Sequence, residues 1–143
     1  MQKIIVLIGP TGIGKTDLAL KLAPKINAEI ISGDSMQIYQ EVSIGTAKPT
    51  AEELRQVKHY FVNQRSIFEE YSAKDFVAEG TKAVNQIVAK GSIPLVVGGT
   101  GFYINALVNK LQLGEPGDYQ TSVDPKWEKY LKENGAEKLW QLL

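Results

Sequence analysis

The sequence contains no cysteine, which excludes disulfides and thiolate-bound metals and fits a cytoplasmic protein. Histidine occurs once, at position 59, so no site needing two imidazoles can be built. An excess of either charge is also missing, because 16 Lys and Arg face 16 Asp and Glu. Nucleic-acid-binding domains usually carry a basic excess. A nucleic-acid partner must therefore meet a local patch, or positive charge outside this chain. Long apolar runs are absent too. No stretch approaches the ~20 residues of a membrane span, and the apolar opening run ends in Gly9-Pro10 rather than a secretory cleavage site. No membrane partner is expected, and neither repeats nor low-complexity tracts are visible.

What remains is a chain of 143 residues, 43% hydrophobic and 22% charged, enough for one domain with a real core. Lys3-Ile4-Ile5-Val6-Leu7-Ile8 is a short, β-branched apolar run and predicts a buried strand. Gly9-Pro10-Thr11-Gly12-Ile13-Gly14-Lys15-Thr16 follows at once and satisfies G-x-x-x-x-G-K-[ST] at every fixed position. Residues 17–23 then run on with helical spacing. Strand, glycine loop and helix are the context in which this motif carries meaning. Its glycines let backbone N–H groups converge on an anion, and the helix start adds unpaired amides and a positive dipole end. Lys15 supplies a point charge, and the Thr16 hydroxyl can complete a Mg²⁺ shell. Residues Gly9, Pro10, Thr11, Gly12, Ile13, Gly14, Lys15 and Thr16 are thus the candidate phosphate or diphosphate cradle.

Further strands are expected at Ala28–Ser32, His59–Val62 and Ile93–Val97. Thr50-Ala51-Glu52-Glu53 reads as a capping box opening a short helix. Ser72 caps the longest helix, with Ala73, Phe76, Val77, Gly80, Ala83, Val84, Ile87 and Val88 at three- and four-residue steps and Gly91 closing it. Another helix is expected from about Phe102 to Asn109. Strands alternating with helices argue for a parallel sheet with helices on both faces. Beyond Leu111 the sequence turns polar, then Asp124-Pro125 opens a helix that Gly135 interrupts. Four strands are few for such a sheet, and Leu139, Trp140, Leu142 and Leu143 need something to pack against. The expectation is an amino-terminal part of a larger protein: a core over 1–111 and the start of a helical insertion over 112–143.

Asp34 is the second candidate. It stands at the carboxyl end of a strand, where open α/β sheets place ligand groups. The local string allows two readings: a carboxylate facing the cradle, or an Asx-turn or helix cap. Gly98-Gly99-Thr100-Gly101 occupies the matching end of the fourth strand, where glycines permit close approach and Thr100 offers a hydroxyl. The strand Leu95-Val96-Val97 ends without the acid that ATP-hydrolysing enzymes place there. That favours group transfer, with Asp34 acting on the acceptor. His59 is expected to have a structural or surface role, Trp127 and Trp140 to be packing residues, and Lys48 to be exposed or near RNA phosphate.

Five blocks now appear in order: Gly9-Pro10-Thr11…Gly14-Lys15-Thr16, Gly33-Asp34-Ser35-Met36-Gln37-Ile38-Tyr39, Gly45-Thr46-Ala47-Lys48-Pro49, Tyr71-Ser72-Ala73…Phe76 and Val97-Gly98-Gly99-Thr100-Gly101-Phe102-Tyr103. Together, over about residues 3–110, they resemble the tRNA dimethylallyltransferase (isopentenyltransferase) family and its P-loop NTPase-like fold. The resemblance implies transfer of a dimethylallyl group from dimethylallyl diphosphate to N6 of the adenosine beside the tRNA anticodon. It implies that Thr11, Gly12, Gly14, Lys15 and Thr16 grip the diphosphate, with Mg²⁺ on Thr16. It makes Asp34 the proton acceptor and places Thr100 at the reaction centre. Asp34, Ser35, Met36, Gln37 and Thr100 would line the tRNA side. The resembled family runs well beyond this length, so this chain alone is expected to be a diphosphate-binding fragment. A free adenine nucleotide as acceptor, or a small-molecule kinase on the same loop, are the alternatives.

Overall fold

The computed structural model describes residues 3–99, 101–109 and 125–142. The chain divides into two compact units, Met1–Leu113 and Gly114–Leu143. The first holds a four-stranded sheet built from β1 (Ile5–Ile8), β2 (Ala28–Ser32), β3 (His59–Tyr60) and β4 (Ile93–Gly98). All its pairings are parallel, and the strand order is β1-β4-β2-β3. Four helices accompany it: α1 (Lys15–Leu22), α2 (Ala51–Gln56), α3 (Ala73–Ala89) and α4 (Gly101–Asn109).

Alternation along the central strands divides the core. Ile31 of β2 and Val96 of β4 turn to one face, where Phe76, Ala83, Val84 and Ile87 of α3 and Ile104 and Leu107 of α4 pack on them. Ile30 and Leu95 turn to the other face, against Ala19 of α1, Ala23 and Val57. Helices therefore cover both faces, as the alternating pattern predicts. Both expected capping boxes form: the Thr50 and Ser72 side chains accept from the N–H of Glu53 and Asp75, whose carboxylates reach back to the N–H of the cap residues.

Two expectations need correction. The first strand is not buried: Ile5, Val6 and Ile8 are 36%, 38% and 56% exposed. The cause is position, since β1 lies at the edge of the sheet and pairs only with β4 among the described residues. The third strand stops at Tyr60, because Phe61 adopts a positive φ of 62° that a strand cannot continue. Phe61 and Val62 are buried nonetheless.

In the second unit α5 (Pro125–Leu142) begins on proline, and Gly135 (φ 80°) breaks it. Trp127 packs edge-on against Tyr130 at 6.4 Å, whereas Trp140 is 79% exposed. No helix among the described residues is long and apolar enough to cross a membrane.

Candidate functional site

The glycine loop takes the shape its sequence demands. Gly12 and Gly14 have φ of 84° and 88°, the left-handed region that glycine enters without penalty. Gly14 occupies the cap position of α1, and no side chain bonds the first amides of that helix. Those N–H groups and the helix dipole point out of the sheet's carboxyl end. The Lys15 ammonium curls over the loop and donates to the carbonyls of Gly9 (2.7 Å) and Pro10 (2.6 Å). It has three N–H bonds, so one is left for an anion.

The loop forms one wall of a cleft of about 310 Å³. Thr11, Gly12, Gly14, Lys15 and Thr16 line that wall, and Asp34 and Gln37 line the cleft from the end of β2. Ala19, Ile30 and Val97 contribute apolar surface, while Ala47, Lys48 and Pro49 come from the loop before α2. The carboxylate and the ammonium that the sequence singles out thus open on the same space. Thr16, whose hard hydroxyl oxygen suits Mg²⁺, lines it too. Among the described residues no cluster of three or more His, Asp or Glu could hold a metal without help from a ligand.

Asp34 combines the two readings its string allows. Its Oδ1 accepts from the Met36 N–H at 2.9 Å, an Asx-turn, and the residue still lines the cleft. The turn restricts its rotamer, which is what a positioned base requires. Ser35 is half-buried and Met36 is 46% exposed beside it. Gln37 points inward: its amide nitrogen donates to the carbonyls of Thr46 and Ala47, and its oxygen accepts from Ser32 Oγ. Thr100 lies outside the described residues. The glycines before it are required by packing: a Cβ on Gly98 would sit 2.8 Å from the carbonyl carbon and oxygen of Gly33.

Sequence reasoning missed residues of the cleft, among them His59, Glu53 and Pro49. His59 is 9% exposed, lines the cleft, and donates its Nδ1–H to the Val57 carbonyl at 2.8 Å. Burial pushes its pKa down, opposed by that carbonyl and by nearby Glu53, which also lines the cleft. The signal for these was the Gly45–Pro49 block and the capping box after it, read as a loop and a helix start rather than as a wall. Lys48 is part-buried rather than fully exposed: it lines the cleft, and its ammonium donates to the carbonyls of Tyr39 and Gln40.

Comparison with known proteins now decides the family. The IPP transferase family model matches residues 37–143. The chain belongs to the IPP transferase family. It is 94% identical over 143 residues to a tRNA dimethylallyltransferase of Lactobacillus gasseri, covering the whole chain and 46% of that relative. A tRNA dimethylallyltransferase of Enterococcus faecalis is 44% identical and is covered to 47%. The chain therefore spans about half the length of the curated relatives it matches. Among solved structures, the full-length tRNA isopentenylpyrophosphate transferase of Bacillus halodurans superimposes with a TM-score of 0.77 at 37% identity, over 96% of this chain and 45% of that one. A eukaryotic dimethylallyltransferase, described as acting on tRNA, gives 0.74 at 34% identity, over 94% of this chain and 33% of its own.

Proposed function

We propose that this chain is the diphosphate-binding and catalytic core of a tRNA dimethylallyltransferase. The observation that carries the reading is the shared cleft: the Asp34 carboxylate and the cradle of Gly12, Gly14, Lys15 and Thr16 line a single space, which Asp17 and Glu53 line as well. The family's named members and their structural neighbours support it.

The chemistry follows from that pairing. Adenine N6 is a weak nucleophile because its lone pair is delocalised into the ring. A carboxylate that accepts its hydrogen raises the electron density on nitrogen and takes the proton as the bond forms. The C–N bond to the allylic carbon forms while the C–O bond to diphosphate breaks, so diphosphate leaves with the bonding electrons. Loop amides and Lys15 stabilise the departing charge. Mg²⁺, when bound at Thr16, neutralises part of the same charge. Ala19, Ile30, Val97 and Pro49 offer a dry lining that keeps water from the allylic carbon. Asp34, Ser35 and Met36 stand on the acceptor side, and an anticodon-loop base must be splayed from its stack to reach them. The Thr100 hydroxyl belongs to the same reaction centre in this reading.

The test is transfer of the radiolabelled isoprenoid from dimethylallyl diphosphate by the complete protein to an anticodon stem-loop, to AMP and to a mock acceptor. Labelled stem-loop supports the reading. Label on AMP alone would make the acceptor a free nucleotide. Phosphoryl transfer from ATP without prenyl transfer would replace the reading with a kinase.

A further inference from the structure

The Gln37 side chain is committed on both sides. Its Nε2 donates to Thr46 O and to Ala47 O, each at 3.1 Å, which uses both amide hydrogens. Its Oε1 accepts from Ser32 Oγ at 2.9 Å, and the Ser32 oxygen in turn accepts from the Asp34 N–H at 3.4 Å. The amide has only one workable orientation, because reversing it would set an oxygen against two carbonyls. Ser32 is 4% exposed and lines the cleft, with its hydroxyl committed to Gln37. The loop held on the other side is strained. Ala47 has φ 47°, in the left-handed region that a residue with a Cβ enters only at a cost. Ala47, Lys48 and Pro49 of that loop line the same cleft as the glycine loop. Other side-chain tethers on this stretch, Thr46 Oγ1 to Val42 O at 3.1 Å and to Ser43 O at 3.4 Å and the Lys48 ammonium to Tyr39 O and Gln40 O, stay outside the carboxylate turn.

We propose that Gln37 is a positioning residue, a clamp that fixes the Asp34 turn and the Thr46–Pro49 wall in one register. Its amide retains a single lone pair, too little to read a base edge by paired hydrogen bonds. The clamp acts through Ser32 on one side and through the strained Ala47 carbonyl on the other. Misplacing a catalytic group by about 1 Å reduces turnover roughly 100-fold, so the effect belongs in kcat. This inference rests on the prenyl-transfer reading above.

Ser32→Ala and Gln37→Met separate the two roles, because Ser32 is buried whereas an RNA-reading Gln37 would act without it. Each variant of the complete protein is assayed with an anticodon stem-loop, after thermal melting and dimethylallyl diphosphate binding within about twofold of wild type show that fold and cradle persist. The clamp predicts that both variants lose 10- to 100-fold in kcat while KM for the stem-loop changes less than about twofold. It also predicts that the double variant is no worse than the poorer single one, since both cut the same chain of bonds. A raised stem-loop KM in Gln37→Met with Ser32→Ala unchanged, or two variants at full activity, overturns it. Absence of prenyl transfer by the wild type would instead remove the reading on which the clamp rests.

Discussion

Gly98 at the end of β4 and Gly33 just after β2 meet backbone to backbone. The Gly33 N–H donates to Val97 O at 2.8 Å, and a methyl on Gly98 would lie 2.8 Å from the Gly33 carbonyl. This contact draws the end of β4 against the segment that presents Asp34. Gly98→Ala should therefore lower stability by about 1–3 kcal/mol, the usual result of forcing a methyl into packed surroundings. Urea unfolding checks it: the midpoint falls at nearly unchanged slope. Gly99, whose Cβ would meet nothing closer than 3.4 Å, should accept alanine with a smaller loss.

His59 sets a second expectation, in pH. Burial depresses its pKa in the folded state, while the unfolded chain titrates near about 6.5. Between those values the unfolded state binds the extra proton, so stability rises with pH there and falls as pH drops below about 6.5. His59→Gln should flatten this dependence and leave the region above pH 7 unchanged. The carboxylates of Asp75, bonded by Ser72, and of Glu53, bonded by Thr50, have lowered pKa values. Their contribution is present above about pH 4 and is lost only below it, so it does not overlap the histidine window. Thermal melts from pH 5 to 8 on both proteins test the assignment.

Much of this fold could be read from local strings. The glycine loop, the capping boxes at Thr50 and Ser72, and the apolar stripe of α3 each depend on residues within a few positions of one another. What could not be read is what distant segments do together. The apolar character of Ile5, Val6 and Ile8 predicts burial, but strand order decides exposure, and order is set by pairing across the chain. Phe61 looked like strand because its side chain is β-prone; its left-handed backbone comes from the turn after β3. At the site, Lys15 and Asp34 announced themselves through motif and strand-end position. His59 and Pro49 did not, because they join the cleft only when β3 and the loop before α2 fold against it. Gln37 showed its type but not its direction, which depends on carbonyls nine and ten residues away.

Lys15 provides the prediction for the cradle. Replacing Lys15 by Met removes one charged donor while keeping much of the stem. Loss of a hydrogen bond to a charged group corresponds to about 1.5–3 kcal/mol, or roughly 10- to 100-fold in affinity. Calorimetry of this chain with magnesium diphosphate should show that weakening. Its melting temperature without ligand should change little, because among the described residues the ammonium bonds only the loop carbonyls of Gly9 and Pro10.

The most direct measurement is single-turnover prenyl transfer by the complete protein carrying Asp34→Asn, which preserves shape and an oxygen for the Met36 N–H but cannot take a proton at neutral pH. The account predicts a 10²- to 10⁴-fold slower transfer to the stem-loop, with dimethylallyl diphosphate affinity within about twofold of wild type. Near-normal transfer by Asp34→Asn would contradict it, since the proton on N6 would then be leaving by another route.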